Sequence, residues 1–266
     1  MNNMSVEQKK YISKVNRDKK IITTSQFLIL LILIITWEIC AIYGIIDSFI
    51  FSSPTRIINT FIEMIEDGSI FYHIWVTFYE TIISFILGTF LGIIIGIILW
   101  WNDKIAKILE PYLIVFNSLP KTALAPVIMV WLGFNHKSII VTALTVTIVI
   151  AIMNVYNGFI NVDKEKIKLI YTFNGTKMKV LTKVVIPANF SNIISTMKIN
   201  IGLSLIGVVI GEFFSPRAGL GYLILYGSQV LKMDWVIMSV IILALLATGL
   251  YEIIVLIEKR VNKINA

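Results

Sequence analysis

"PYLIVFNSLPKTALAPVIMVWLGF", residues 111–134, is apolar along most of its length but is broken by Pro120 and Pro126, with Lys121 between them. Whether this stretch crosses a membrane decides the fold, because it sets an odd or an even number of crossings and so the relative sides of the two chain ends. The rest of the chain is easier to read. Runs of about 18 or more largely uncharged residues are the mark of a membrane-spanning helix, and such runs occur at 27–46, 78–101, 139–158, 191–213 and 235–257. The first keeps that reading despite Glu38, since each of its many Leu, Ile and Phe residues favours insertion by about 0.3 to 0.6 kcal/mol against about 2.5 to 3.5 for one acid. Mean hydropathy of +0.85 over 266 residues agrees with an integral membrane protein. On hydropathy alone five spans and six are both open, because prolines and a lysine are tolerated in a span only where neighbouring helices or a polar cavity satisfy them.

Loop charge separates the two. Cytoplasmic loops carry an excess of Lys and Arg. With six spans and the N-terminus inside, the cytoplasmic pieces hold seventeen of the 23 basic residues, the opposite side holds only Arg56, Lys137, Arg217 and Lys232, and Lys121 and Lys198 fall within spans. The expected fold is therefore an all-α, polytopic bundle of six spans with both termini cytoplasmic. It divides into a tail at 1–26, a membrane domain at 27–257 with a cytoplasmic loop at about 159–190, and a tail at 258–266. The apolar run after the tail is too long for a signal peptide and lacks an A-x-A-like cleavage site, so it reads as an uncleaved first span. The net charge of +7 is accounted for by topology and gives no reason to expect nucleic acid.

Catalytic and metal chemistry have little support. Cys40 is the only cysteine, and His73 and His136 are the only histidines, both expected at the outer face. No G-x-x-x-x-G-K-[ST] phosphate-binding loop occurs, so ATP is not bound by that route and any such energy comes from another subunit. Gly88, Gly92 and Gly96 put small residues on one helix face, which favours close helix packing. Among charges inside spans, Glu38 calls for a structural partner, whereas Glu80, Lys121 and Lys198 are expected near the interfaces, where a long stem reaches water. Glu212 is expected to cap the turn that begins "SPRAGLG". The external segment 47–77 is net acidic and reads as an interfacial helix, either merely solvated or touching a partner protein.

The basic loop carries the sharpest pattern. In it Ile167, Ile170, Tyr171, Met178, Leu181, Val184 and Val185 recur at helical spacing among lysines, interrupted by Asn174 and Gly175. This predicts two short helices meeting at Gly175, with glycine supplying a positive φ and Pro187 ending the second helix or opening the next span.

"NGTKMKVLTKVVIPA" resembles the cytoplasmic coupling loop of ATP-binding-cassette importer permeases, where a Glu-Ala-Ala triplet precedes a glycine and an Ile-x-Leu-Pro end follows. Here the triplet positions hold Leu169, Ile170 and Tyr171, and the distance from Gly175 to Pro187 is one residue shorter than usual. "LPKTALAPVIMVWLGF" and "IGVVIGEFFSPRAGLGYLI" are similar to signatures of the nitrate, sulfonate and taurine importer group, which also serves thiamine-precursor uptake; the resemblance covers about 50–257.

The resemblance implies a non-enzymatic transport subunit in the cell membrane. It implies pairing with a second permease copy as a homodimer, two ATPase subunits that bind ATP and Mg, an extracytoplasmic solute-binding protein, and surrounding lipid. It makes Tyr171, Asn174, Gly175, Met178, Leu181 and Pro187 the ATPase-coupling residues; Lys121 and Lys198, as charges inside spans, and Ser204 are the candidates for the substrate pathway. No cofactor is implied in this chain. The residues without the resemblance also allow an ATP-independent carrier or channel.

Overall fold

The computed structural model describes residues 6–215 and 217–265, with side chains described over 11–215 and 217–260. Residues 1–5 of the N-terminal tail and Ala266 of the C-terminal tail lie outside these, as do the side chains of Lys9, Lys10 and Lys263. All regular structure among the described residues is helical.

Helix α1 (Val6–Ile42) carries the lysine-rich stretch and the first apolar run without a break. Every side chain from Phe27 to Thr36 is exposed, as suits a helix whose solvent is hydrocarbon rather than water. After the short α2 (Ser48–Phe51), α3 (Pro54–Glu66) starts where Ser53 Oγ accepts from Arg56 N and Pro54 supplies a first-turn residue that needs no N–H. Its Ile57, Thr60 and Met64, at spacings of three and four, turn inward.

The core is built from α4 (Ser69–Trp101), α7 (His136–Ile160) and α11 (Phe190–Phe214). Gly88, Gly92 and Gly96 of α4 meet Thr147, Ala151 and Val155 of α7, so the two helices run parallel. A Cβ on Gly96 would stand 2.8 Å from Val155 Cγ1, and one on Gly92 would overlap Ala151. In α11 Gly207 faces Ala143 and Gly211 faces Ile139, a falling register that makes α7 and α11 antiparallel. Gly88, Gly92 and Gly96 are packing residues, as their spacing suggested; of the three glycines in α11, Gly202 alone has open space beside it.

Parallel neighbours need a return path. It is made by α5 (Asp103–Ser118) and α6 (Lys121–Leu132), which are bent by 95° at the break between them. The sequence reads 111–134 as one span; the structure breaks it. Pro120 has no N–H to continue the ladder of α5, and Lys121 Nζ instead donates to the free carbonyls of Phe116, Asn117 and Leu119 at that helix's end. Among the described residues five helices are long and apolar enough to cross a membrane, and six crossings result if the bent pair counts as one. The second span is also longer than expected, beginning at Ser69 rather than at 78.

The remaining elements are α8 (Lys164–Thr172), α9 (Lys177–Val180), a π turn at Leu181–Val185, α10 (Ile186–Ala188), α12 (Leu220–Gln229) and α13 (Met233–Asn265). Helix α12 is tucked between α11 and α13, and with α3 and α13 it builds a second apolar cluster around Ile57, Met64, Leu220, Leu223 and Met238.

Candidate functional site

The chain between α7 and α11 folds as the expected pair of short helices. Asp163 caps α8 by accepting from Glu165 N at 2.9 Å. At its other end Gly175 N donates to Ile170 O at 2.9 Å and Asn174 N to Tyr171 O at 3.0 Å, the paired bonds of a Schellman ending. The positive φ of that ending, 54°, is taken by Asn174 and not by Gly175 as expected. Glycine is required for a different reason: a Cβ there would run into Ile170 Cγ2 and stand 2.6 Å from Ile170 O. Thr176 then caps α9. Pro187 does not end the helical path abruptly. Its ring would collide with the carbonyl four residues back, that of Lys183, and the π turn widens the helix there.

The hairpin is fastened to the ends of α4 and α7. Val180, Leu181 and Val185 are buried against Val155, Phe159 and Val162, with Ile167, Ile170, Ile97 and Trp100 packed around them. Lys177 Nζ donates to Trp101 O at 2.7 Å and lies 5.4 Å from the Trp100 ring centre, a cation–π distance. The apolar positions expected on one face divide. Leu181 turns inward, whereas Tyr171 and Met178 turn outward, as do Leu169 and Phe173, the last 77% exposed. The break at Asn174 and Gly175 separates the two helices and lets each present its own outer edge. Lys164, Lys166, Lys168, Lys179 and Lys183 of the same hairpin are exposed as well, and large apolar side chains exposed together with charged ones are a mark of protein contacts.

The pathway candidates are not brought together. Lys121 serves the end of α5, Lys198 Nζ pairs with Glu258 Oε2 of α13 at 2.5 Å, and Ser204 is fully buried in the three-helix core with no partner for its hydroxyl. Glu38 has the structural partner expected of it, accepting from Thr55 Oγ1 at 2.6 Å and Thr55 N at 3.0 Å.

A polar cluster at the other end of the core was only half visible in the sequence. Glu212 caps the following turn, as expected: its Oε2 accepts from Gly221 N and its Oε1 from Thr77 Oγ1, both at 2.6 Å. Thr77 Oγ1 in turn accepts from Leu220 N at 2.8 Å, and His73 Nδ1 from Gly219 N at 3.1 Å. Gly219 holds φ at 110° with Glu212 where a side chain would go. Glu80, expected to reach water, is instead wholly enclosed, with Oε1 2.7 Å from His136 Nδ1. The available signal was the spacing of His73, Thr77, Glu80 and Ser84, which puts four polar side chains on one face of an otherwise apolar helix. Among the described residues no group of three or more ligating side chains is placed to hold a metal.

The sequence pattern of the family described as "Binding-protein-dependent transport system inner membrane component" matches residues 88–263. The chain is 25% identical over 232 residues to the aliphatic sulfonates transport permease protein SsuC of Bacillus subtilis, covering 87% of this chain and 84% of that one. It is 27% identical over 195 residues to the formylaminopyrimidine transport permease protein ThiX of Halalkalibacterium halodurans, covering 73% and 77%. Among solved structures its fold is similar to a chain of an amino acid ABC transporter, with a TM-score of 0.63 at 16% identity over 75% of this chain and 98% of that one. A chain of the inward-facing MetNI methionine ABC transporter gives a TM-score of 0.58 at 18% identity, over 71% and 96%.

Proposed function

The chain belongs to the family of binding-protein-dependent transport system inner membrane components and is a multi-pass permease subunit of an ATP-binding-cassette importer, and we propose that a separate ATPase subunit drives it through the hairpin at 161–187. The exposed apolar side chains of Leu169, Tyr171, Phe173 and Met178 on a lysine-rich hairpin carry this reading. The hairpin is suited to transmit force, because its inner side is packed on α4 and α7 and a push on it moves both core helices together. Tyr171 and Met178 would touch the ATPase, Asn174 and Gly175 would hold the turn, and Leu181 and Pro187 would anchor it.

In this reading the bent pair α5 and α6 is one crossing, six crossings place both termini in the cytoplasm, and residues 27–257 form the membrane domain. The parallel packing of α4 and α7 supports it, since the intervening chain has to return to the opposite end of the pair. Two copies of this chain line the pathway, two ATPase subunits bind ATP and Mg, and an extracytoplasmic binding protein delivers the solute. This chain needs no cofactor and catalyses nothing itself. The relatives favour a small solute of the sulfonate or pyrimidine thiamine-precursor kind.

Affinity purification of the tagged chain from its own membranes in mild detergent tests the reading. An ATPase subunit should co-purify, and reconstituted vesicles should take up solute only with ATP and binding protein. Recovery of the chain without any nucleotide-binding partner, together with ATP-independent uptake, would overturn it.

A further inference from the structure

Glu80 of α4 and Glu212 of α11 are both fully enclosed, and Thr77, one turn before Glu80 on α4, donates to Glu212 across the seam between the two helices. Glu212 has its donors in Thr77 and Gly221. Glu80 has His136 on one oxygen, while its other oxygen has no hydrogen-bond partner. The charged and titratable groups around them are few. From α4 comes His73, whose Nδ1 accepts the Gly219 amide and so carries no proton there. From α7 come His136 and the exposed Lys137, and from the turn after α11 comes the exposed Arg217. Neither Lys137 nor Arg217 is ion-paired with either glutamate. From α12 the nearest titratable ring, Tyr222, stacks on His73 rather than on a carboxyl.

One imidazolium cannot balance two buried carboxylates. A buried carboxylate without a counter-charge takes up a proton instead, and two carboxyls sharing one enclosure resist ionising together. Neutrality of the cluster requires two protons among Glu80, Glu212 and His136. The His136 side chain is 51% exposed while Glu80 is closed off behind it, so the imidazole is the part of the cluster that meets solvent.

One of these carboxyls, that of Glu212, also holds a piece of backbone. Segment Arg217–Gly221 reaches the core through its Gly219, Leu220 and Gly221 amides, which are bound by His73, Thr77 and Glu212. We propose that Glu80, Glu212 and His136 form one proton-binding site whose occupancy keeps segment Arg217–Gly221 docked on α4, and whose deprotonation releases it. The docked arrangement binds more protons than the released one, in which the carboxylates reach water. Rising pH therefore favours release. On the topology proposed above the segment lies at the outer mouth, so external pH would set its position; the proton-binding site itself rests on the packing alone.

The test uses the full-length chain in lipid nanodiscs, where reagent reaches both faces and the result does not depend on orientation. In a Cys40→Ser background, Ala218→Cys places a thiol at a position only 3% exposed, and Arg217→Cys supplies an exposed control. Maleimide labelling of Ala218→Cys, divided by that of the control to remove the thiol's own titration, should rise at least about tenfold between about pH 6 and about pH 9, the change one linked proton gives over a single pH unit. Glu80→Gln, which removes one ionisable carboxyl and keeps the shape, should flatten the rise and keep labelling low. Deuterium uptake by peptides containing Leu220 and Gly221 in the otherwise native chain, compared with Glu80→Gln at each pH, provides a readout that does not require the introduced thiol. A labelling ratio and exchange difference that are flat across the range, or the same rise in Glu80→Gln as in the parent, would overturn the proposal.

Discussion

The amide of Gly175 donates to the carbonyl of Ile170 at 2.9 Å, and the same carbonyl oxygen stands 2.6 Å from where a Cβ on Gly175 would be. One bond and one exclusion thus fix the turn between α8 and α9. Gly175→Val should break this ending at a cost of about 1 to 3 kcal/mol, the usual range for forced overpacking. The variant should still insert into the membrane, but ATPase co-purification and ATP-driven uptake should fall together. Unchanged co-purification and uptake would show that the turn has no part in coupling.

Phe173 is 77% exposed and makes no core contribution. Phe173→Ala should leave the midpoint of thermal unfolding in detergent unchanged, since exposed substitutions usually stay within about 0.5 kcal/mol. If the hairpin docks an ATPase, affinity for that subunit should drop about tenfold, the effect of losing an aromatic anchor worth somewhat more than 1 kcal/mol. Tyr171→Ala and Met178→Ala should act in the same direction. Titration of purified ATPase against the permease in nanodiscs measures all three.

Gly92 and Gly202 make a matched pair for the core. A side chain at Gly92 would overlap Ala151, whereas nothing lies within 4 Å of one at Gly202. Gly92→Val should separate α4 from α7 and cost about 1 to 3 kcal/mol or abolish folding. Gly202→Ala should be tolerated. The ratio of monodisperse to aggregated protein after detergent extraction, with thermal unfolding of whatever is monodisperse, distinguishes the two.

Lys198 and Glu258 meet at 2.5 Å, which makes a structural pair the first explanation for a lysine inside α11. Lys198→Met should lower uptake by leaving Glu258 without its partner, and Lys198→Met with Glu258→Gln should recover most of it. Were Lys198 instead a ligand of the transported solute, the double variant would be as inactive as the single one. Initial uptake rates in reconstituted vesicles decide.

Much of this arrangement was legible because membranes enforce simple rules. Long apolar runs gave the helices, and clustered lysines marked the loop at 159–190. Asn174, Gly175 and Pro187 marked its joints, although the roles of the first two were exchanged: asparagine takes the left-handed backbone, and glycine gives way to Ile170. Glu212 was legible as a cap because it shares a short stretch of chain with the amide it binds. Glu80 was not, since its partner His136 lies 56 residues away and its burial depends on three helices closing around it. Lys121 and Lys198 were legible as charges inside apolar segments, but not as the cap of α5 and the partner of Glu258.

Hydropathy and helical period act locally along the chain, and they suffice to show that it is helical and membrane-embedded and where its basic hairpin lies. What comes from the tertiary structure alone is that 111–134 is a bent pair, that α4 and α7 run parallel on a glycine seam, and that Glu80 and Glu212 are closed off from water. Those facts depend on which surfaces meet, and close packing between segments far apart in the chain leaves only spacing and small residues as its trace in the sequence.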